Sequence, residues 1–398
     1  MTENIENIDL SNLMRSYDDK IDKSLEQLFG LKIKELNTNQ TNALETMGIA
    51  SRALSSILKG TSSRVDLLSL IKLSKFLEIN QNDAIRLYLN SLNKTDHRQL
   101  NEIDRRKFIM KNFDLKELRK EGIIENISDF DAIESRLITL FNYNSIYDYR
   151  KGVLNPAFST SKLYKKNPMV DYWIEYSREI FVKINNTNNY NRDSLIQFFP
   201  TIRWHTQDCH RGLWEVIRKL HKIGVSVVYL PKFKKLHIRG ATFSVNKKPC
   251  IVLTDYKGYY PTLWFSLLHE LHHVLFDWEI IRINSFHISD KIDLYTEKEI
   301  EEKANQFARD YLFSEDKMNK IIPHLNNFDL VKEYTKHNDV HSSFPYIFHA
   351  YDRNSKGNWS WINKYMPQIN DTLCKVKNIS LNQDVDSVAN YYNKNIYQ

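Results

Sequence analysis

One stretch of the chain, residues 262–278, is apolar along most of its length yet carries the pattern H-E-x-x-H near its centre. His269 and His273 are four residues apart, about one turn of an α-helix, so both rings leave the same helix face. Two imidazoles at this spacing can bind one Zn²⁺, and Glu270 then lies beside the open coordination position, where it can deprotonate a water molecule. The pattern therefore predicts a helix that carries part of a zinc site.

The sequence around this pattern predicts that the helix is buried. Pro261 stands at its expected start, where the missing N–H of proline costs nothing. Residues 263–276 are apolar nearly all round apart from the motif, which is typical of a helix enclosed by other elements. Imidazole and carboxyl groups in such a place are unfavourable unless they are paired or bound to a metal ion. Two interpretations remain open, a metal site or a set of hydrogen-bonded core histidines.

A zinc site of this kind takes its third protein ligand from later in the chain. Thr296 and Glu299 fit a capping box, which predicts that a helix begins there. Glu301 lies along one edge of the apolar stripe of that helix and can face another buried helix, whereas Glu302 is one position further round. From spacing alone, these acids are either a ligand and its neighbours or an exposed first turn favoured by the helix dipole.

The chain resembles the ImmA/IrrE family of metallopeptidases over roughly residues 200–320. The resemblance is carried by four segments, which are the predicted strand 224–230, the strand pair 239–243 and 248–253, the helix 264–273, and the pattern Glu301-x-x-Ala304-Asn305-x-Phe307-Ala308. In the family, the Glu of that last pattern is the third zinc ligand, so the resemblance implies this role for Glu301. The family usually has Gly where this chain has His272, which leaves the ligand set intact.

These residues predict a zinc metalloendopeptidase in which His269, His273 and Glu301 bind Zn²⁺ and Glu270 is the general base. The resemblance implies a repressor or antitoxin as the protein substrate. The alternative is a DNA-binding transcription regulator or antitoxin whose peptidase-like domain binds or senses without cleaving. Glu270 favours the enzyme, because a binding-only site does not need a glutamate that is not a ligand. A purely structural zinc ion is disfavoured, because structural sites are normally closed by four protein ligands.

Two further features of the catalytic region are predicted less specifically. Residues 250–253 are expected to form an exposed strand edge that pairs with the main chain of an extended substrate. A further donor to the oxyanion is expected on the C-terminal helices, and the sequence leaves His341, Tyr346 and His349 as candidates.

The N-terminal region resembles the helix-turn-helix of Xre-type repressors, in which the second helix enters the DNA major groove. The matching features are a short helix over 38–47, a turn at Gly48, a second helix over 50–60 and an apolar third helix after residue 66. The residues predicted to face DNA are Ser51, Arg52, Ser55, Ser56 and Lys59, with Lys59 and Arg64 as phosphate contacts. This face is poor in Gln, Asn and Arg, so direct base readout is thin. The alternative is a small helical bundle that contacts protein.

Composition limits the cellular setting. Three scattered cysteines, Cys209, Cys250 and Cys374, argue against a disulfide scaffold and favour a reducing cytoplasm. The N-terminus has no secretory signal, and no stretch reaches the roughly 18 apolar residues of a membrane span, so no membrane partner is expected. The net charge of +7 permits binding to double-stranded DNA without demonstrating it.

Length predicts several domains, and the scarcity of glycine (10) and proline (9) predicts much helix. The predicted segments are an N-terminal helical region 1–98 with a helix-turn-helix at about 36–80, a helical middle 99–200, a zinc metallopeptidase domain 201–320 and a C-terminal helical extension 321–398. The expected fold class is therefore α+β and mostly helical, with a small β-sheet in a zincin-like domain.

Overall fold

The computed structural model describes residues 23–61, 64–149, 155–156, 167–233, 236–255, 257–290, 298–353 and 356–398. Its contacts divide the chain into two compact units, with the boundary between Lys107 and Phe108. Each unit has a hydrophobic core of its own. The expected α+β, mostly helical fold class is confirmed, because a single small sheet lies among many helices in the described residues.

The first unit is built from helices. They are α1 (Leu25–Glu35), α2 (Gln40–Met47), α3 (Ser51–Lys59), α4 (Leu67–Leu77), α5 (Gln81–Ser91) and the first part of α6 (Lys94–Asn112). Helix α2 is capped by Gly48, which has a positive φ of 58°, and α3 begins three residues later at Ser51. Leu54 of α3, Leu73 of α4 and Ala84 of α5 are fully buried and belong to one core. Two consecutive helices with a tight turn therefore lie where the sequence predicts them.

The second unit contains the remaining helices and the sheet. Its helices are α7 (Leu115–Lys120), α8 (Phe130–Phe141), α9 (Pro168–Ile184), α10 (Arg192–Phe198), α11 (Gly212–Lys222), α12 (Tyr260–Phe276), α13 (Trp278–Asn284), α14 (Lys298–Phe313), α15 (Glu315–Ile321), α16 (Phe328–His337), α17 (Ser343–Arg353), α18 (Lys356–Ile362), α19 (Ile369–Thr372) and α20 (Val385–Tyr391). One continuous core runs from Ile109 to Tyr397, so the three segments predicted after residue 98 share a single apolar interior. Their division into separate domains stays a prediction. Thr296, the predicted helix cap, lies outside the described residues.

The strands of the described chain form one sheet in the order β1-β5-β3-β4-β2. They are β1 (Asn155–Pro156), β2 (Ser226–Tyr229), β3 (Ile238–Val245), β4 (Lys248–Leu253) and β5 (Ser285–Asp290). Strand β3 is antiparallel to both β4 and β5, whereas β2 runs parallel to β4. Asn246 and Lys247 join β3 to β4 with φ values of 52° and 61°, the geometry of a two-residue hairpin that follows the twist of the strands.

The expectation that residues 250–253 form an exposed strand edge is wrong. Strand β4 pairs with β3 on one side and with β2 on the other, so both of its edges are already hydrogen-bonded. Ile251, Val252 and Leu253 are each fully buried. Such a continuous apolar run is typical of an interior strand that is covered on both faces, rather than of an edge.

The outer edge of β2 is covered by tyrosines from the end of the described chain. The hydroxyl of Tyr392 accepts from the backbone N–H of Tyr229 at 2.8 Å and lies 3.1 Å from its carbonyl oxygen. The hydroxyl of Tyr397 donates to the carbonyl of Val227 at 2.9 Å. Both phenols are buried and satisfy backbone groups that another strand would otherwise pair with.

Helix α12 lies between the sheet and the later helices. It packs against β3 and β4 on one side and against α14 and α17 on others. Fourteen of its residues are buried, which confirms the buried helix predicted from the apolar run. Within the described part of the chain, the structure contains no helix that combines the length and apolarity needed to cross a bilayer.

We expect Gly60→Ala to destabilise the first unit. Gly60 has a φ of 59°, and a Cβ there would lie 2.0 Å from the carbonyl oxygen of Ser91, so both backbone strain and a clash oppose the substitution. The cost should exceed about 1 kcal/mol. Native-state hydrogen exchange of helices α1–α5 in the full chain measures it.

Gly30→Ala is the matched control, because Gly30 is exposed within α1 and a Cβ there meets nothing within 4 Å. It should be neutral or stabilise the unit by about 0.5–1 kcal/mol. Equal exchange rates for the two variants would contradict the described contact between Gly60 and Ser91.

Candidate metal centre and active site

Three possible ligand atoms from two helices meet in the interior of the second unit. The Nε2 atoms of His269 and His273, both on α12, are 3.2 Å apart. The carboxylate of Glu301 on α14 lies 3.4 Å from each, with Oε2 facing His269 and Oε1 facing His273. All three side chains are buried, with exposures of 3%, 0% and 6%. The helical spacing of four thus brings both rings to the face of α12 against which α14 packs.

The spacing of these atoms fits a metal ion. In a tetrahedral site with bonds of about 2.0–2.1 Å, ligand atoms lie about 3.3 Å from one another. The three observed separations, 3.2, 3.4 and 3.4 Å, match that value. Two imidazole nitrogens this close to each other and to a carboxylate also require a shared proton or a cation between them. The cluster of His269, His273 and Glu301 is therefore well formed for a divalent metal ion.

The carboxylate of Glu301 is held in its charged form. Burial opposes this charge, but hydrogen bonds from His269, His273 and His287 outweigh it and lower the pKa of Glu301 far below its ordinary value. An ionised, buried carboxylate beside two imidazoles is the state required of a metal ligand. Glu302, the next residue, is exposed, so the structure separates the two acids as the helical spacing predicts.

His287 is a further member of the site that sequence reasoning missed. It is fully buried on β5, and its Nε2 donates to Oε1 of Glu301 at 2.8 Å. Burial and the neighbouring charge of His273 lower the pKa of His287, so it acts as a neutral donor. Strand β5 pairs with β3 so that His287 stands opposite Thr242. The sheet thereby fixes the ring that orients the carboxylate of Glu301.

Asp277 orients the second histidine of the motif. It follows the last turn of α12, and its Oδ2 accepts from Nδ1 of His273 at 2.8 Å. This bond leaves Nε2 of His273 as the atom that faces His269 and Glu301, which is the arrangement common among metal-bound histidines. Burial opposes protonation of His273, but the bonds to Asp277 and Glu301 prevail and raise its pKa to about 9. His272 lies 3.6 Å from the same Asp277 oxygen and packs on Phe276.

Glu270 is held through one of its two carboxylate oxygens. The hydroxyl of Thr242 on β3 donates to Oε2 at 2.8 Å. Oε1 is buried and has no hydrogen-bond partner among the described residues. Gly240, also on β3, permits this position, because a Cβ there would lie 2.7 Å from Oε1. One oxygen is thus anchored, while the other is available to accept a proton.

The other sequence-predicted residues make different contacts. His341 bonds the hydroxyl of Ser343, and Tyr346 stacks on Tyr365 with ring centroids 3.8 Å apart. His349 packs near Trp361. Their described contacts do not join the cluster of His269, His273 and Glu301. The predicted DNA-facing residues Ser51, Arg52, Ser55, Ser56, Lys59 and Arg64 are in the first unit.

One of the site residues that sequence reasoning missed, Asp277, could have been found from its local spacing. Asp277 is four residues after His273, a spacing that places it one turn away and could have been recognised. Thr242 and His287 could not have been paired, because their contact depends on the register of β3 against β5.

Comparison with known proteins agrees with this geometry. Residues 221–337 match the family model described as the IrrE N-terminal-like domain, a peptidase family. The match runs from the end of α11 to the end of α16 and contains every residue of the cluster. It supports the resemblance to the ImmA/IrrE family and a metallopeptidase-type function. No curated protein and no solved structure matches the chain significantly.

In the chain stripped of metal, we expect His273 to titrate near pH 9, because Asp277 and Glu301 stabilise its charged form. The folded chain then holds this proton more tightly than the unfolded chain, whose histidine titrates near 6.5. The resulting stabilisation is complete below about pH 6.5 and is lost as pH rises through 9. Histidine-selective NMR across this range measures the titration.

Asp277→Asn is the matched control, because the amide keeps the shape of the side chain but removes its charge. The His273 titration should move to lower pH in this variant. A His273 signal that titrates at the same pH in both proteins would contradict the assigned contact.

Proposed function

We propose that the chain is a zinc-dependent endopeptidase that cleaves a regulatory protein of the repressor or antitoxin type. One observation carries the proposal. Two imidazoles and a buried carboxylate converge at tetrahedral spacing, and beside them the carboxylate of Glu270 keeps one oxygen without a partner among the described residues. A structural zinc site would be expected to offer a fourth ligand and would not need Glu270.

His269, His273 and Glu301 would hold the zinc ion. When bound, zinc supplies the Lewis acidity that makes a water molecule nucleophilic near neutral pH and stabilises negative charge on the attacked carbonyl oxygen. Asp277 keeps His273 in the tautomer that presents Nε2, and His287 keeps the Glu301 carboxylate turned toward the histidines.

Glu270 performs the proton transfers. Its Oε1 accepts a proton from the attacking water as oxygen bonds to the peptide carbon. The same oxygen then delivers that proton to the departing amine when the carbon–nitrogen bond breaks, so Glu270 returns to its carboxylate form. Thr242 holds Oε2 throughout, which limits rotation of the carboxylate. Burial of Glu270 and Thr242 strengthens these interactions, because the local dielectric is low.

We also propose that the substrate is a regulatory protein and that the enzyme acts in the cytoplasm. A repressor or antitoxin is the substrate class that the family resemblance implies. Cys209, Cys250 and Cys374 are all free, which supports a reducing compartment. In the competing function, a transcription regulator or antitoxin would use the peptidase-like domain only to bind or sense. Loss of cleavage on replacement of Glu270 would distinguish the peptidase from the binding or sensing function.

We expect Glu270→Gln to retain about one zinc ion per chain and to lose cleavage by a factor of about 10²–10⁴, because glutamine cannot accept the proton. Mass spectrometry of host proteins after expression of wild type or Glu270→Gln detects the new N-termini produced by cleavage. Identical sets of new N-termini would show that Glu270 is not the base.

Metal content supplies the control. Glu301→Ala should lose most of its zinc, whereas Glu302→Ala, one position along the same helix and exposed, should keep its zinc. Undiminished zinc in Glu301→Ala would remove Glu301 from the ligand set.

We further propose that the first unit binds double-stranded DNA. The supporting observation is the pair α2 and α3 with its tight turn, together with exposed cations on or beside the second helix. Arg52 and Lys59 of α3 and Arg64 after it are all exposed, and Ser51 is exposed at the helix start. Ser55 and Ser56 are half-buried, so they offer less surface to a base edge than the sequence suggests.

We expect the double variant Lys59→Ala/Arg64→Ala to bind promoter DNA of its own gene more weakly, because the two predicted phosphate contacts are removed. The slope of log affinity against log salt should fall by about two. Fluorescence anisotropy across a salt series measures both values.

Lys34→Ala, at an exposed lysine of α1, controls for net charge and should leave that slope nearly unchanged. Absence of any DNA affinity at low salt in the wild-type chain would favour a helical bundle that contacts protein.

A further inference from the structure

A cavity of about 650 Å³ lies between α12, α14, α17 and the start of β3. Its apolar walls are formed by Pro261 and Phe265 of α12 and by Ile347, Phe348 and Tyr351 of α17. This volume is within the range of cavities that bind peptides and small molecules, and most of the exposed wall is carbon.

The cavity is directly next to the proposed active site. Phe265 and Ser266 line it one helical turn before His269 and Glu270. The rings of Phe265 and His269 have centroids 6.4 Å apart. On α14, Asn305 lines the cavity one turn after Glu301. Both walls therefore continue the surfaces that carry the cluster, so a chain held at the cluster has its neighbouring residue at the cavity.

Asn305 gives the cavity a specific polar group. Its Oδ1 is buried and has no hydrogen-bond donor among the described residues. Leaving such an acceptor unpaired costs about 1–3 kcal/mol, so a donor from a bound molecule would be favoured. Because both edges of β4 are occupied, that strand is unavailable to pair with a substrate main chain. Asn305 is placed to accept a substrate backbone N–H instead.

Two cations that line the cavity pair with carboxylates of the chain. Arg309 makes two bonds to Asp352, at 2.9 and 2.7 Å, and its guanidinium lies 4.4 Å from the ring centroid of Phe348. Lys303 pairs with Glu299 at 2.7 Å. These contacts hold the wall formed by Phe348 in place. Arg239 and Glu302, of opposite charge, also line the cavity.

We propose that this cavity receives a large apolar side chain of the substrate, of leucine to phenylalanine size, next to the peptide bond that is cleaved. Asn305 accepts a backbone N–H of the same segment through Oδ1. The inference rests on the proposed peptidase function, because it identifies the residue beside the cleaved bond.

Binding can be tested separately from cleavage. The full chain carrying Glu270→Gln is loaded with zinc, immobilised and exposed to a pool of synthetic acetylated decapeptides that is degenerate at every position. Retained peptides are identified by mass spectrometry. We expect about tenfold enrichment of large apolar residues at one position.

Thr262→Trp in the same background fills the cavity and should abolish that enrichment. Thr201→Trp is the matched control, because Thr201 is also half-buried in a helical segment and bonds the carbonyl three residues before it, yet it does not line the cavity. Asn305→Ala should weaken retention of all sequences alike, and Asn305→Asp, which keeps an acceptor oxygen, should restore much of it.

Unchanged enrichment in Thr262→Trp, or no enrichment in the parent, overturns the inference about the cavity. The wild-type chain is then given the same pool and its cleavage sites are mapped. Cleavage without apolar preference overturns the cavity inference and leaves the peptidase function standing. Enrichment without any cleavage overturns the peptidase function and with it the assignment to a cleaved bond.

Discussion

The carboxylate of Glu301, buried among three imidazoles, is the interaction on which the rest of the site depends. A charged group in this position is tolerated only because His269, His273 and His287 all offer nitrogen atoms to it within 2.8–3.4 Å. The imidazoles come from two elements, two from α12 and one from β5, and both elements must be placed against α14. Packing of the sheet, α12 and α14 is therefore the condition for forming the cluster, and local helix formation alone is insufficient.

The sheet supports this centre by a single register. Because β3 and β5 are aligned with Thr242 opposite His287, one strand pair supplies a hydroxyl to Glu270 and an imidazole to Glu301. A slip of β5 by one residue would turn His287 to the other face of the sheet and separate it from Thr242. Proton-transfer and ligand-orienting groups are thus coupled through one alignment, although they act on carboxylates from different helices.

The sequence was sufficient for elements whose evidence is periodic and local. The buried helix α12, the facing histidines and the separation of Glu301 from Glu302 all follow from a repeat of 3.6 residues. The sequence was insufficient to predict contacts between residues that lie on strands distant from each other in the chain. His287 has no local signal for its contact with Glu301, and residues 250–253 were assigned to an edge because strand order depends on the whole topology. Asp277, four residues after His273, was detectable and was missed.

The tyrosines at the edge of β2 prevent this sheet from pairing with a strand of another chain. Tyr392 and Tyr397 occupy hydrogen-bonding groups of Tyr229 and Val227 with side-chain hydroxyls rather than with a further strand. A phenol satisfies one or two polar atoms but offers no continuing ladder to which a foreign strand could add. We expect proteolytic removal of residues 392–397 to expose these backbone groups of β2. A strand of a second chain would then pair with β2, and the protein would self-associate.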